Sequence, residues 1–224
     1  MIIGAMKSGT SSLHYMLVRH PQIAGGKVKE LDYFRKAIPQ SVKGYEANFP
    51  KLDKERHAYT LDSSPNYTKA LKWPDTAFRI ASFPGRKRLI YLLRNPIERI
   101  DSHIAHHVQR GLWTDGNWPM DHLVDISSYG RQLMEYEKAG LLDNVLLLDF
   151  ASLRDDPVAT AFAVHDFLRI PRIAPQRTPT INRRKVGSLL RPDLLDPFRD
   201  ALKKDVETLI SRYGFEPAKA WGIY

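Results

Sequence analysis

Lys7 stands in a turn of small and hydroxylated residues, Gly4-Ala-Met-Lys-Ser-Gly-Thr-Ser-Ser12. Residues 1–3 before it are apolar, and residues 13–18 after it have the character of a helix. A strand, a glycine-bearing turn and a helix together present backbone N–H groups at a helix N-terminus, which favours an anion there. Gly4 and Gly9 permit the tight turn, and Ser8, Thr10, Ser11 and Ser12 add hydroxyl donors. Lys7 adds one mobile positive charge. The chemistry this predicts is capture of a phosphate-like group. The spacing comes close to G-x-x-x-x-G-K-[ST], but Thr10 stands where that pattern needs lysine. The displaced lysine argues against an ordinary ATPase or kinase. Similar turns also join strands to helices in α/β proteins that bind no anion.

A second strand–turn–helix unit is Leu92-Leu-Arg-Asn-Pro-Ile-Glu-Arg-Ile-Asp-Ser102. Arg94 falls at the carboxyl end of its strand, where open α/β sheets place ligands. Its planar fork suits a phosphate, and Ser102, about two turns into the next helix, offers a hydroxyl. Taken without the first turn, the plainer alternative is that Arg94 caps a helix and Ser102 is a surface serine. Glu30 in Lys29-Glu-Leu-Asp-Tyr-Phe34 is a candidate general base. Most Lys-Glu pairs are solvated surface, but Tyr33 and Phe34 suggest a segment anchored to the core.

His103, His106 and His107 have the i, i+3 and i+4 spacing that converges on one helix face. No supporting carboxylate motif accompanies them, so a neutral helix face near an acceptor cleft is favoured over a metal site. Trp113, Trp118 and Tyr129 are candidates for an acceptor pocket, against the commoner role of aromatic packing.

The elements that must position these residues alternate in type. Apolar runs predict strands at 22–24, 57–61, 88–93 and 145–150, the last two buried. Helices are expected at 12–20, 74–82 (Pro74 in its first turn), 97–110, 128–139, 157–168 and 193–213, with Gly214 as the final stop. Residues 35–56 read as irregular, anchored by Tyr45 and Phe49, and 111–117 as a loop. Residues 170–192 read as a loop or lid. The predicted fold is α/β, a single domain over 1–224 with a central parallel sheet flanked by helices.

The 224 residues suffice for a core, and 43% hydrophobic with 26% charged residues is ordinary for a globular chain. No apolar run reaches the roughly 18 residues that span a bilayer. The start has no basic n-region of a signal peptide. A cytoplasmic protein is the default expectation. With no cysteine, disulfides and thiolate metal sites are excluded. A net charge of +9 favours anionic partners, without a nucleic-acid-binding signature.

Together the units resemble the sulfotransferase family, which uses 3′-phosphoadenosine 5′-phosphosulfate (PAPS). Residues 4–13 are similar to the family's 5′-phosphosulfate loop. Leu93-Arg-Asn-Pro-Ile-Glu-Arg-Ile-Asp-Ser102 is similar to its 3′-phosphate motif. Lys29-Glu-Leu-Asp-Tyr-Phe34 resembles the Lys-Glu-x-x-Phe-Phe segment of the glycan and bacterial branch, whose glutamate is the catalytic base. Asp62-Ser-Ser-Pro-Asn-Tyr67 and residues 145–158 keep the family's order, so the resemblance runs from residue 1 to about 170.

The resemblance implies a P-loop NTPase-like fold and sulfuryl transfer from PAPS to an acceptor hydroxyl, less readily an amine, leaving 3′,5′-adenosine bisphosphate. It implies Lys7 and Glu30 as catalytic residues. Lys7, Ser8, Gly9, Thr10, Ser11 and Ser12 would hold the 5′-phosphosulfate, Arg94 and Ser102 the 3′-phosphate. Arg183 or Arg184, in Asn182-Arg-Arg-Lys-Val-Gly187, would assist there. No metal is expected. The acceptor would be a hydroxyl-bearing small molecule, lipid or glycan, selected by residues 35–56, 111–127 and 170–192. Ser63 replaces a lysine that some glycan-modifying members carry, which weakens a heparan-type acceptor. The alternatives are an ATP-dependent small-molecule kinase and a non-catalytic polyanion-binding module.

Overall fold

A computed structural model describes residues 1–36, 41–114, 118–175, 188–190 and 192–223. Its centre is a set of short parallel strands: β1 (Ile2–Gly4), β2 (Ile23–Gly25), β3 (Tyr59–Leu61), β4 (Leu89–Leu93) and β5 (Val145–Asp149). β1, β4 and β5 form one ladder and β2 and β3 another. A parallel bridge between Ile2 and Ser63 joins the two, and the Ile2 N–H donates to the Asp62 carbonyl at 2.9 Å. The resulting order is β2-β3-β1-β4-β5.

Alternation along the central strands divides the core in two. Ile3, Leu89, Tyr91 and Leu93 face one side, with Ile100, Ile104, Tyr129, Leu133, Phe198 and Leu202. These come from α4 (Pro96–Gln109), α6 (Tyr129–Lys138) and α9 (Leu195–Ser211). Ile2, Ile90 and Leu92 face the other side, against Leu13 and Leu17 of α1 (Thr10–Leu17) and Val164 and Leu168 of α8 (Pro157–Leu168). Strands buried on both faces read as unbroken apolar runs. That is why β4 was the clearest strand in the sequence.

Three expectations need correction. β5 is half-buried throughout, because it pairs only with β4 among the described strands. Pro74 lies outside α3 (Thr76–Ser82), whose N-cap is Asp75 at φ +60°. The expected irregular region 35–56 also holds a short helix, α2 (Val42–Glu46), too short to show a period, and α5 (Met120–Asp125) lies where the sequence reading assigned no element. The anchors in 35–56 do pack: Phe49 is 2% exposed, and Tyr45 stacks within 5.5 Å of Phe34 and Phe83. α7 (Phe150–Asp155) follows β5 directly. Most of the expected lid at 170–192, with Arg183 and Arg184, lies outside the described residues.

Candidate active site

The glycine-bearing turn leaves β1 and enters α1 two residues earlier than the sequence suggests. Gly9 is the N-cap at φ +84°, a conformation costly for any other residue. A Cβ there would come within 3.0 Å of Leu153 Cδ2 and 3.1 Å of Phe150. Gly4 is needed for close approach, since a Cβ would meet Thr68 Oγ1 at 2.7 Å and Tyr91 Cε2 at 2.8 Å. Thr10, Ser11 and Ser12 therefore form the first turn of α1, whose N–H groups have no intrahelical acceptor. Lys7 itself is held at φ +71°, an unfavourable backbone setting of the kind found at functional sites.

β4 delivers the second cation. Arg94 follows its last residue, and its Nη1 donates to the Lys7 carbonyl at 3.3 Å. Its Nε donates to Glu98 at 3.1 Å, and its guanidinium lies 4.6 Å from the Phe150 ring centroid. The Tyr129 hydroxyl donates to the Arg94 carbonyl at 2.9 Å, fixing this turn from the core side. The Asn95 side chain caps α4 by accepting from the Ile97 N–H at 3.0 Å. Behind the loop, the fully buried Arg99 donates through Nε to the Met6 carbonyl at 3.0 Å and through Nη1 to Ser127 Oγ at 2.9 Å. Burial, then Arg94 and Arg99, lower the Lys7 pKa from its ordinary value.

Glu30 comes from a segment clamped onto residues 62–67. The Ser63 N–H donates to the Lys29 carbonyl at 3.1 Å, and the Asp32 N–H to Ser64 Oγ at 2.9 Å. Asn66 Nδ2 reaches Asp32 at 2.9 Å, and the Phe34 N–H donates to the Tyr67 hydroxyl at 3.3 Å. The Tyr67 and Ser64 hydroxyls both donate to buried Asp62. Burial raises the Asp62 pKa to about 6 against the lowering by those hydroxyls. Phe34 is 1% exposed, so the aromatic anchor expected beyond Glu30 is real. Glu30 pairs with Lys29 at 2.7 Å and keeps its side chain 42% exposed. Beneath this pair, His14 Nδ1 lies 2.8 Å from Ser63 Oγ. Burial and the Lys29 charge bring the His14 pKa down to about 4, so this imidazole is neutral.

Lys7, Gly9, Thr10, Ser11, Ser12, Glu30, Arg94 and Ser102 line one cleft of about 400 Å³. Ser8 does not: it is wholly buried, and its N–H donates to the Ala5 carbonyl at 3.2 Å. His106, expected on a neutral helix face near an acceptor cleft, lines it too, and so does Arg110, which the sequence reading did not select. The signal was available, because Ser102, His106 and Arg110 follow one another at i+4 on and just beyond α4. Larger hollows of about 970 and 630 Å³ contain none of these residues.

The other candidates divide. Tyr129 is fully buried and Trp118 is 7% exposed, so both belong to the core. Trp113 stacks on His107 at 4.2 Å, and His107 stacks on His103 at 4.3 Å. His103 is buried, and desolvation, then Arg99 and His107, push its pKa far down, which agrees with a neutral face. Among the described residues no three His, Cys, Asp or Glu side chains are grouped to hold a metal ion. No helix among them is long and apolar enough to cross a membrane.

The cleft joins a helix N-terminus and the cations Lys7 and Arg94, at the carboxyl ends of β1 and β4, with Lys29, Arg110 and the Glu30 carboxylate. The sulfotransferase domain family model matches residues 1–183, which include all of it. The chain belongs to the sulfotransferase family. It is 34% identical over 110 residues to the membrane-associated sulfotransferase kil1 of Dictyostelium discoideum, covering 49% of this chain and 23% of that one. It is 26% identical over 186 residues to human heparan sulfate glucosamine 3-O-sulfotransferase 6, covering 77% of this chain and 52% of that protein. The chain thus spans about half, or less, of the length of these curated relatives.

Solved structures share the sulfotransferase fold. The sulfotransferase from Alicyclobacillus acidocaldarius superposes with a TM-score of 0.73 at 23% identity, covering 94% of this chain and 93% of the other. The sulfotransferase domain from the curacin biosynthetic pathway gives 0.55 at 14% identity, covering 84% and 78%. The central parallel sheet flanked by helices, expected from the sequence, is the one this enzyme family uses.

Proposed function

We propose that this sulfotransferase moves a sulfuryl group from PAPS to an acceptor hydroxyl, with Glu30 as general base. The observation carrying the reading is the convergence of Lys7, Arg94, Ser102 and Glu30 on one cleft beside the N-terminus of α1. The donor set suits the nucleotide, since it offers cations, hydroxyls and unpaired N–H groups for two phosphate sites. The bound donor supplies an activated sulfuryl group on a phosphate leaving group. Lys7 and the first-turn N–H groups offset charge on that leaving oxygen. Arg94 and Ser102 hold the 3′-phosphate, the group that separates this donor from ATP. Glu30, exposed and paired with Lys29, takes the proton of the attacking hydroxyl. In-line transfer of this kind depends on positioning and charge stabilisation, by analogy with phosphoryl transfer.

The acceptor is a small molecule, lipid or glycan bearing the hydroxyl. A heparan sulfate relative favours a saccharide among these. The deciding experiment is a competition titration of ATP against 3′,5′-adenosine bisphosphate, followed by assay of bisphosphate release from PAPS with a panel of acceptors. Tight bisphosphate binding that ATP does not displace is expected. ATP displacing it at equal concentration would favour a kinase, and salt-sensitive binding of any polyanion without bisphosphate preference would favour a non-catalytic module.

A further inference from the structure

Lys69 follows the 3₁₀ turn Pro65–Thr68, and its side chain returns toward the phosphate loop. Its Nζ lies 3.8 Å from Met6 Sδ, and no carboxylate among the described residues pairs with it. Met6 lines the cleft, and Lys69 touches that residue from outside the lining. Neighbouring cations are already engaged. Lys29 is paired with Glu30 at 2.7 Å, and Arg35 with Asp32 at 2.9 Å. Arg99 is fully buried on the Met6 carbonyl and Ser127. Lys69 is half-buried and, among the described residues, is paired with no carboxylate.

Close by in the chain, Arg35 lies over the Trp73 ring at 4.5 Å, with Lys72 at 5.7 Å. The rings of His103, His107 and Trp113 are stacked, with His122 6.1 Å from His103, and the Lys69 charge reaches His103 and His122. Burial first, with the Lys69 charge among the further causes, lowers the pKa of both His103 and His122. Burial, then Arg99 and Lys72, bring the Lys69 pKa down to about 8, against Asp32 and Glu30. An ammonium in that position gains most from an incoming anion, because it has lost water without gaining a partner.

We propose that Lys69 binds a carboxylate or sulfate group on the acceptor, turning the acceptor hydroxyl toward Glu30. The inference rests on the reading of Glu30 as the acceptor-side base. It adds the acceptor's chemical class, a hydroxyl compound that is itself anionic, and the residue that selects it.

The test uses a matched pair of probes, 4-nitrophenyl β-glucuronide and 4-nitrophenyl β-glucoside, which differ by a carboxylate. Binding to the wild-type chain and to Lys69→Met is measured calorimetrically, with 3′,5′-adenosine bisphosphate titrated in parallel. The wild type is expected to bind the glucuronide about tenfold more tightly than the glucoside, as one charge-assisted contact allows. Lys69→Met loses that preference and keeps its bisphosphate affinity, and Lys69→Arg restores much of it. Equal binding of the two probes by the wild type overturns the proposal, as does an undiminished preference in Lys69→Met. Failure of the wild type to bind bisphosphate sinks the donor assignment instead, and the glycoside comparison remains readable.

Discussion

Arg94 and Lys7 are tied through one backbone group: Arg94 Nη1 donates to the Lys7 carbonyl at 3.3 Å. The cation from the end of β4 thereby holds the turn that carries the cation from the end of β1. Each side chain sits in the other's field, which contributes to the lowered Lys7 pKa. An anion in the cleft relieves that repulsion, so anion binding and loop order are coupled.

Replacing Arg94 with alanine should then weaken bisphosphate binding through both effects. A charge-assisted contact contributes about 1.5–3 kcal/mol, roughly 10- to 100-fold in affinity. Isothermal titration of Arg94→Ala against wild type measures it. An unchanged affinity would remove Arg94 from the donor site.

Lys7→Met and Glu30→Gln should fail differently. The first impairs both donor affinity and turnover, because Lys7 serves bound and transition states. The second keeps bisphosphate affinity and lowers kcat by about 10²–10⁴-fold, the usual worth of a general base. Full turnover in Glu30→Gln would require another base in the cleft.

Arg110→Ala should reduce bisphosphate affinity less than Arg94→Ala, by several-fold and with a strong salt dependence. Arg110 lines the cleft but is exposed at the end of α4, where screening is effective. Titrations at low and high salt test this, and an effect independent of salt would contradict it.

Acid should destabilise the fold from about pH 6.5 downward. His14 and His165 are both buried with pKa values brought down to about 4, chiefly by desolvation. A depressed pKa means stability that is complete above the unfolded value of 6.5 and lost as pH falls through the folded value. Asp62 opposes this, since its pKa is raised to about 6 and its ionisation penalises the fold as pH rises from about 4. At pH 5 the two histidines cost about 2 kcal/mol each and Asp62 returns about 1.4 kcal/mol, so the histidines prevail. Thermal midpoints at pH 7 and pH 5 should differ accordingly, and His165→Phe should flatten the slope. A midpoint that rises toward pH 5 would refute the assignment.

Gly9→Ala should destabilise the chain by about 1–2 kcal/mol from its left-handed backbone alone, with crowding against Phe150 and Leu153 added. Bisphosphate binding should fall with it, because the first turn of α1 moves. Thermal unfolding and titration of one sample read both effects.

The alternation of strands and helices, the buried run of β4 and the two glycine- and arginine-bearing turns that open onto helices are legible in the sequence. These are local: periodicity, glycine placement and the hydroxyl-rich turn are written in adjacent residues. It also placed Glu30 beside an aromatic anchor, and the packing of Phe34 bears that anchor out.

Only the tertiary structure decided which residues share the cleft. Ser8 and Thr10 are two residues apart, yet the turn buries the first entirely and brings the second to the lining. Tyr129 and Trp118 are attractive pocket aromatics in sequence, but the core on the Ile3, Tyr91 and Leu93 face takes up their volume. The cleft is assembled from distant stretches of chain: the ends of β1 and β4, α4, Pro65 and the segment clamped onto residues 62–67, and Phe150 at the start of α7. Parallel strands bring such distant stretches to one edge, and no local pattern records which side chains then meet.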